Sequence, residues 1–312
     1  MRRSSAGAIG AAALVGLAGL TGCGSSSSSP PSPSAGSSSS GGTSSAIVVG
    51  SQNFPESETL AYVYADALKA AGFTNVTVKP NLGSREVTAP ALQAGQIDMI
   101  PEYLGNYLVF LDPNAGVLSV AQTDATLKPL AAKKGLTVAN YSQAADSDAI
   151  AVTQANADKY HLSSIADLSS VAGQWTFGGP QECQTRVTCF AGLEQYYGLH
   201  FKAFKALDED GPLTVSALQN GDVQAARIFS SDATIASDHF KVLADPKDFQ
   251  GAGNIVPVLR TPVATPQVLA VVNKVSAALT TADLVSFNTQ TGAPAHEDPT
   301  QVASAYVKAR NL

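Results

Sequence analysis

The stretch Cys183-Gln184-Thr185-Arg186-Val187-Thr188-Cys189 holds an arginine midway between the only two cysteines of the region 46–312. A short Cys-to-Cys loop closes a disulfide in an oxidising compartment and holds a metal or redox centre in a reducing one, so compartment decides between them. Other groups able to do chemistry are sparse. His161, His200, His239 and His296 are isolated from one another, with no His-x-x-x-His pair to clasp a metal. Neither a Gly-x-Ser-x-Gly nucleophile elbow nor a Gly-x-x-x-x-Gly-Lys phosphate loop occurs. Asp208-Glu209-Asp210 offers hard oxygens to a cation, yet an acidic trio ahead of Gly211-Pro212 reads as a solvated turn. No catalytic residue, cofactor or metal is expected, and the chain does not read as an enzyme. Two loops are better candidates because each follows a strand pattern, where open α/β folds place their ligands. In Gly50-Ser51-Gln52-Asn53-Phe54-Pro55-Glu56, polar side chains and helix N-terminal amides either meet a ligand or form an ordinary cap. In Pro101-Glu102-Tyr103-Leu104-Gly105-Asn106-Tyr107, Tyr103 is either a ligand platform or half-buried core.

The N-terminus addresses the compartment. Met1-Arg2-Arg3 precedes an uncharged run at 6–20 and then Leu20-Thr21-Gly22-Cys23, the order of a secretion signal with a small-residue processing site. That run falls short of the roughly 20 residues a membrane-crossing helix needs. Leu20-Thr21-Gly22-Cys23 also resembles the bacterial lipobox. The resemblance implies that Cys23 is acylated and becomes the mature N-terminus, which leaves Cys183 and Cys189 to pair. Segment 24–45 is almost entirely Ser, Gly and Pro, without apolar bulk to offset the entropy of ordering, and reads as a flexible tether. Of 19 basic residues, Arg2 and Arg3 lie in the leader, and the remaining seventeen face 25 acidic ones, a balance of −8. Such a surface attracts neither nucleic acid nor anionic lipid.

Around the candidate loops the pattern alternates. Ile47-Val48-Val49-Gly50 is a buried-strand run, and Leu60, Val63, Tyr64, Ala67, Leu68 and Ala71 recur at helical spacing up to Gly72. Strands are predicted at 76–79, 97–100 and 136–139, with helices at 86–94 and 121–133, an order that argues for a parallel α/β sheet. A second unit runs from the strand Ala149-Ile150-Ala151-Val152 through Trp175-Thr176-Phe177-Gly178, helices at 190–197 and 214–219, and a strand at 223–229. From Thr265 the chain reads as helical, with Val268, Val271, Val272 and Val275 on one face and no sheet of its own, so it is expected to return to the first unit.

Several pieces resemble one family in its own order. They are Val49-Gly50-Ser51-Gln52-Asn53-Phe54-Pro55-Glu56, Gly83-Ser84 with Ala91-Leu92-Gln93-Ala94-Gly95-Gln96-Ile97-Asp98, Pro101-Glu102-Tyr103-Leu104-Gly105, the strand at 149–152 and Phe229-Ser230-Ser231-Asp232. Together they resemble the osmoprotectant-binding proteins of ABC importers for glycine betaine, choline, carnitine and related compatible solutes. The resemblance implies an α/β, two-lobed periplasmic-binding-protein-like (type II) fold with a hinge and an interlobe ligand cleft. The implied layout is a signal peptide at 1–22, a lipidated cysteine and tether at 23–45, lobe 1 at 46–147 plus 255–312, and lobe 2 at 148–254. The implied protein is a monomer, lipid-anchored on the extracytoplasmic face of the cell membrane, which hands a small solute to an ABC permease and its ATPase. In that family a box of rings holds the quaternary ammonium, since ring faces attract a diffuse cation that cannot donate hydrogen bonds. By motif position Gln52 stands where relatives carry lysine, Tyr103 matches a box tyrosine, Asn106 stands for a threonine, and Arg186 stands where the family places its carboxylate-binding arginine. A Cys183–Cys189 bridge would then hold the Arg186 loop still.

Three positions depart from the family pattern. Asp146-Ser147-Asp148 replaces Asp-Thr-Tyr, so the expected ring at Asp148 becomes a carboxylate. At Phe229 the ring is kept and the hydroxyl lost, and Gly253 stands where a tyrosine is common. The expected contact set is Gln52, Tyr103, Asn106, Asp148, Arg186 and Phe229. The carboxylate of Asp148 and the space at Gly253 would suit a ligand other than plain glycine betaine. A ligand-sensing or scaffold lipoprotein that binds a larger hydroxyl-bearing compound without transport is the alternative.

Overall fold

The computed structural model describes residues 46–292 and 295–312; the leader, Cys23 and the tether lie outside the described residues. In the first lobe the chain runs β1 (Ile47–Gly50), α1 (Pro55–Ala70), β2 (Val76–Lys79), α2 (Arg85–Gln93), β3 (Met99–Tyr103), α3 (Leu104–Leu111), α4 (Val120–Ala132) and β4 (Leu136–Val138). The second lobe follows with β5 (Asp148–Thr153), α5 (Gln154–Tyr160), β6 (Thr176–Pro180), α6 (Phe190–Tyr197), β7 (Ala203–Leu207), α7 (Pro212–Gln219), β8 (Ala225–Phe229), α8 (Thr234–Ser237) and β9 (Phe240–Val242). The chain then returns to the first lobe through β10 (Ile255–Arg260) and ends in α9 (Pro266–Ala278), α10 (Thr281–Thr291) and α11 (Pro299–Arg310).

Each lobe rests on a five-stranded sheet, in the orders β2-β1-β3-β10-β4 and β7-β6-β8-β5-β9. Neither is purely parallel, contrary to the alternation read from sequence. β1 pairs parallel with β2 and β3, but β10 runs antiparallel between β3 and β4; in the second sheet β5 lies antiparallel to both β8 and β9. In each sheet the strand that runs against its neighbours is the one that follows a crossing between lobes, β5 after the first and β10 after the second.

The apolar stripe of α1, with Leu60, Val63, Ala67 and Leu68, buries against Val268, Val272 and Val275 of α9 and Val302 and Val307 of α11. This is how the C-terminal helices, lacking a sheet of their own, find a core. In the second lobe Phe177 of β6, Leu193 of α6 and both cysteines share one buried cluster. Between the lobes the two crossing segments pair with each other. Asp146 N donates to Gly253 O at 2.9 Å, and Asn254 Nδ2 donates to Ser142 O at 2.9 Å. Gly105 packs on the second crossing so closely that a Cβ there would lie 2.7 Å from Ala252 N.

Candidate functional site

Cys183 and Cys189 form a disulfide with Cα atoms 5.2 Å apart, and both are buried in the second-lobe core. It closes the turn that carries Arg186, so the guanidinium projects from a pinned backbone. Its reach is across to the first lobe: Nε donates to Glu86 Oε1 at 3.2 Å and Nη2 to Glu86 Oε2 at 2.8 Å. Nη1 lies 3.5 Å from Glu209 Oε1, and Glu182 Oε1 is 3.6 Å from Nη2. Arg186 and its bonds pull Glu86 down to about 2, overcoming the opposing effect of partial burial, so the pair stays charged at neutral pH.

Beside it three rings converge, one from the loop before α1 and two from the C-terminal ends of β3 and β8. Phe54, at the N-terminus of α1, has its centroid 4.8 Å from that of Phe229 and 6.0 Å from that of Tyr103, while Tyr103 and Phe229 stand 6.3 Å apart. The tyrosine hydroxyl donates to Glu56 Oε1 at 2.6 Å, and Glu56 Oε2 accepts from Ser231 Oγ and Asn288 Nδ2, both at 2.8 Å. Glu56 thus joins first-lobe α1 and α10 to the segment after second-lobe β8. Burial pushes its carboxyl above the ordinary range despite these three donors. Asp146, in the first crossing, is raised further by burial and then by the Glu56 charge. A cavity of about 70 Å³ lies against Phe54, Glu56, Asp210, Phe229 and Asn288.

Asp148 of β5 faces a guanidinium that sequence reading overlooked. Arg227 Nε donates to Asp148 Oδ1 at 2.6 Å, and Nη2 meets the same oxygen. The Arg227 Cζ also sits 3.7 Å from the Phe229 centroid, an internal cation on a ring face. Asn106 Nδ2 donates across the lobes to Asp148 Oδ2 at 3.3 Å. On the first-lobe wall, Arg85 makes a buried forked pair with Glu102, at 2.8, 3.0 and 3.1 Å. Gln52 Nε2 donates to Glu102 Oε2 at 3.4 Å, so Gln52 supports this pair. A second cavity, of about 170 Å³, opens between Arg85, Glu86, Asn106, Phe110 and Arg186.

Five of the six expected positions, Tyr103, Asn106, Asp148, Arg186 and Phe229, therefore meet where the lobes face each other, and Gln52 stands behind Glu102. The space expected at Gly253 is absent: a Cβ there would run into Asp146 O and Ser147 Oγ, because the two crossings pair at that point. Nor is the acidic trio a solvated turn. Asp208 caps the start of α7 through Leu213 N and Thr214 N, both at 2.9 Å, Glu209 is buried between Arg186 and Arg227, and Asp210 accepts from Phe229 N at 2.6 Å. Phe54, Glu56, Glu86 and Arg227 were missed. The signals were a large apolar residue between Asn53 and Pro55, and one arginine inside the apolar strand Ala225-Ala226-Arg227-Ile228-Phe229.

The family OpuAC, described as the substrate binding domain of ABC-type glycine betaine transport system, matches residues 45–309. A glycine-betaine-binding protein of Pseudomonas aeruginosa is 26% identical over 224 residues, 69% of this chain and 71% of that protein. The glycine betaine-binding protein YehZ of Escherichia coli K12 is 27% identical over 278 residues, 85% of this chain and 90% of that protein. Among solved structures, one titled as a glycine betaine/carnitine/choline ABC transporter superposes with a TM-score of 0.67 at 22% identity, covering 85% of this chain and 98% of its own.

Proposed function

Because the chain belongs to the OpuAC family, the substrate-binding domains of ABC-type glycine betaine transport systems, we propose that it captures a small quaternary-amine solute between its lobes and delivers it to an ABC importer. Members of this family bind small solutes, work with ABC permease and ATPase components, and are not enzymes. The observation that carries the ligand class is the meeting of Phe54, Tyr103 and Phe229 beside the buried acids Glu56 and Glu209. Ring faces attract a cation that donates no hydrogen bonds, and more strongly where a closed cleft strips it of water. A solute touching both lobes stabilises closure by its differential affinity for the closed form, and the closed form is what a permease would recognise. The same reading takes 1–22 as a signal peptide, acylates Cys23, and tethers a monomer to the extracytoplasmic face of the membrane.

One observation favours the sensor alternative: Phe229 already has Arg227 on its ring and Phe54 beside it, so the chain fills part of its own box. Calorimetric titration with glycine betaine, choline and carnitine tests the ligand class. Saturable binding of at least one, weakened by Phe229→Ala, is expected; no binding of any of the three contradicts it. Uptake in a gene-deletion strain separates delivery from sensing, since unchanged uptake of a bound amine leaves only the sensor.

A further inference from the structure

Arg186 is the group that would grip the anionic end of a zwitterionic solute, and its guanidinium is already engaged. Glu86 takes Nε and Nη2 in a two-point contact across the cleft, and Glu209 and Glu182 take the remaining approaches. The geometry points to Glu86 as a specificity-determining residue: by standing where a ligand carboxylate would meet Arg186, it selects against carboxylate-bearing amines and in favour of amines that lack one. This rests on the quaternary-amine reading above and narrows it.

Three features support it. Glu86 is aimed, not adrift, because Ser84 Oγ donates to its Oε2 at 2.6 Å at the start of α2. Its lowered carboxyl keeps it charged and competing at any physiological pH. It is also the exposed partner, with 42% of its side chain accessible against 13% for Arg186, so a second carboxylate can swing it into water at modest cost. The effect is therefore a graded penalty on anionic ends and not an exclusion. An amine ending in a hydroxyl meets no such contest, since a hydroxyl can donate to Glu86 where a carboxylate only repels it.

The test is calorimetric titration of the wild type and Glu86→Gln with two probes, choline and glycine betaine. The wild type is expected to bind choline more tightly. Removing the Glu86 charge is expected to tighten glycine betaine by about tenfold while choline changes by less than about twofold, the scale of a charge-assisted contact freed at Arg186. An unchanged ratio of the two affinities, or a wild type that prefers glycine betaine, overturns the role of Glu86 and leaves amine binding standing. No binding of either amine by either protein overturns the ligand class, and the role of Glu86 with it.

Discussion

At the residue scale, Asp148 and Arg227 must be understood together. Both side chains are 2% exposed, and removing one partner strands the other as a buried charge, a loss that outweighs the net worth of the pair. Asp148→Ala is expected to lower stability in urea by about 3–5 kcal/mol, since Glu209, 3.9 Å from Arg227, replaces little of the contact. An unchanged midpoint contradicts this. Asp146 makes a different statement. Its carboxyl is raised first by burial and then by Glu56, so the folded chain holds this proton to higher pH than the unfolded one. Its contribution is full below about pH 4 and is lost as pH rises through the raised value. Asp146→Asn removes that titration, so its melting temperature relative to wild type is expected to climb between about pH 4 and pH 7. A pH-independent difference sinks the assignment. Which residues line the cleft was partly legible in sequence, because Tyr103 and Arg186 sit in recognisable motifs. Arg227 stands out in sequence only as a lone charge in an apolar strand, and its role exists only once β5 brings Asp148 beside it.

At the element scale the strand and helix pattern was readable to within a few residues for α2, α4, α6 and β8. What escaped was the strand that returns. Ile255-Val256-Pro257-Val258 carries a proline, which argues against a central strand, yet β10 is central. The fold accommodates it by placing Pro257 opposite Pro101 of β3, so neither strand offers an unpaired N–H at that rung; on the other side Pro257 O accepts from Ala139 N just past the end of β4. Such register is set by tertiary pairing and leaves no local signature. The disulfide acts on the same scale. Replacing Cys183 and Cys189 by serine is expected to cost about 2 kcal/mol from the short loop it closes. It should also weaken glycine betaine binding by letting the Arg186 loop move, and unchanged stability and glycine betaine affinity together would contradict both effects. At the crossing, Gly105→Ala forces a Cβ against Ala252, and loss of thermal stability is the expected outcome in a melting experiment.

For the whole molecule, closure is written in pairs that cross the cleft: Arg186 with Glu86, Asn106 with Asp148, Ser231 with Glu56, and Phe54 with Phe229. The two-lobed architecture was legible because the α/β pattern restarts near Ala149 and the C-terminal helices need a core from elsewhere. The direction of the returning strands was not, because chain reversal between lobes is a property of the assembled sheets. The central claim is that the lobes shut on an amine held against Tyr103 and Phe229. A crystal structure with choline bound tests it most directly. The quaternary nitrogen is expected within about 6 Å of both ring centroids, the reach of a cation held on aromatic faces. A bound choline seated elsewhere, with the two rings turned from it, would contradict the account.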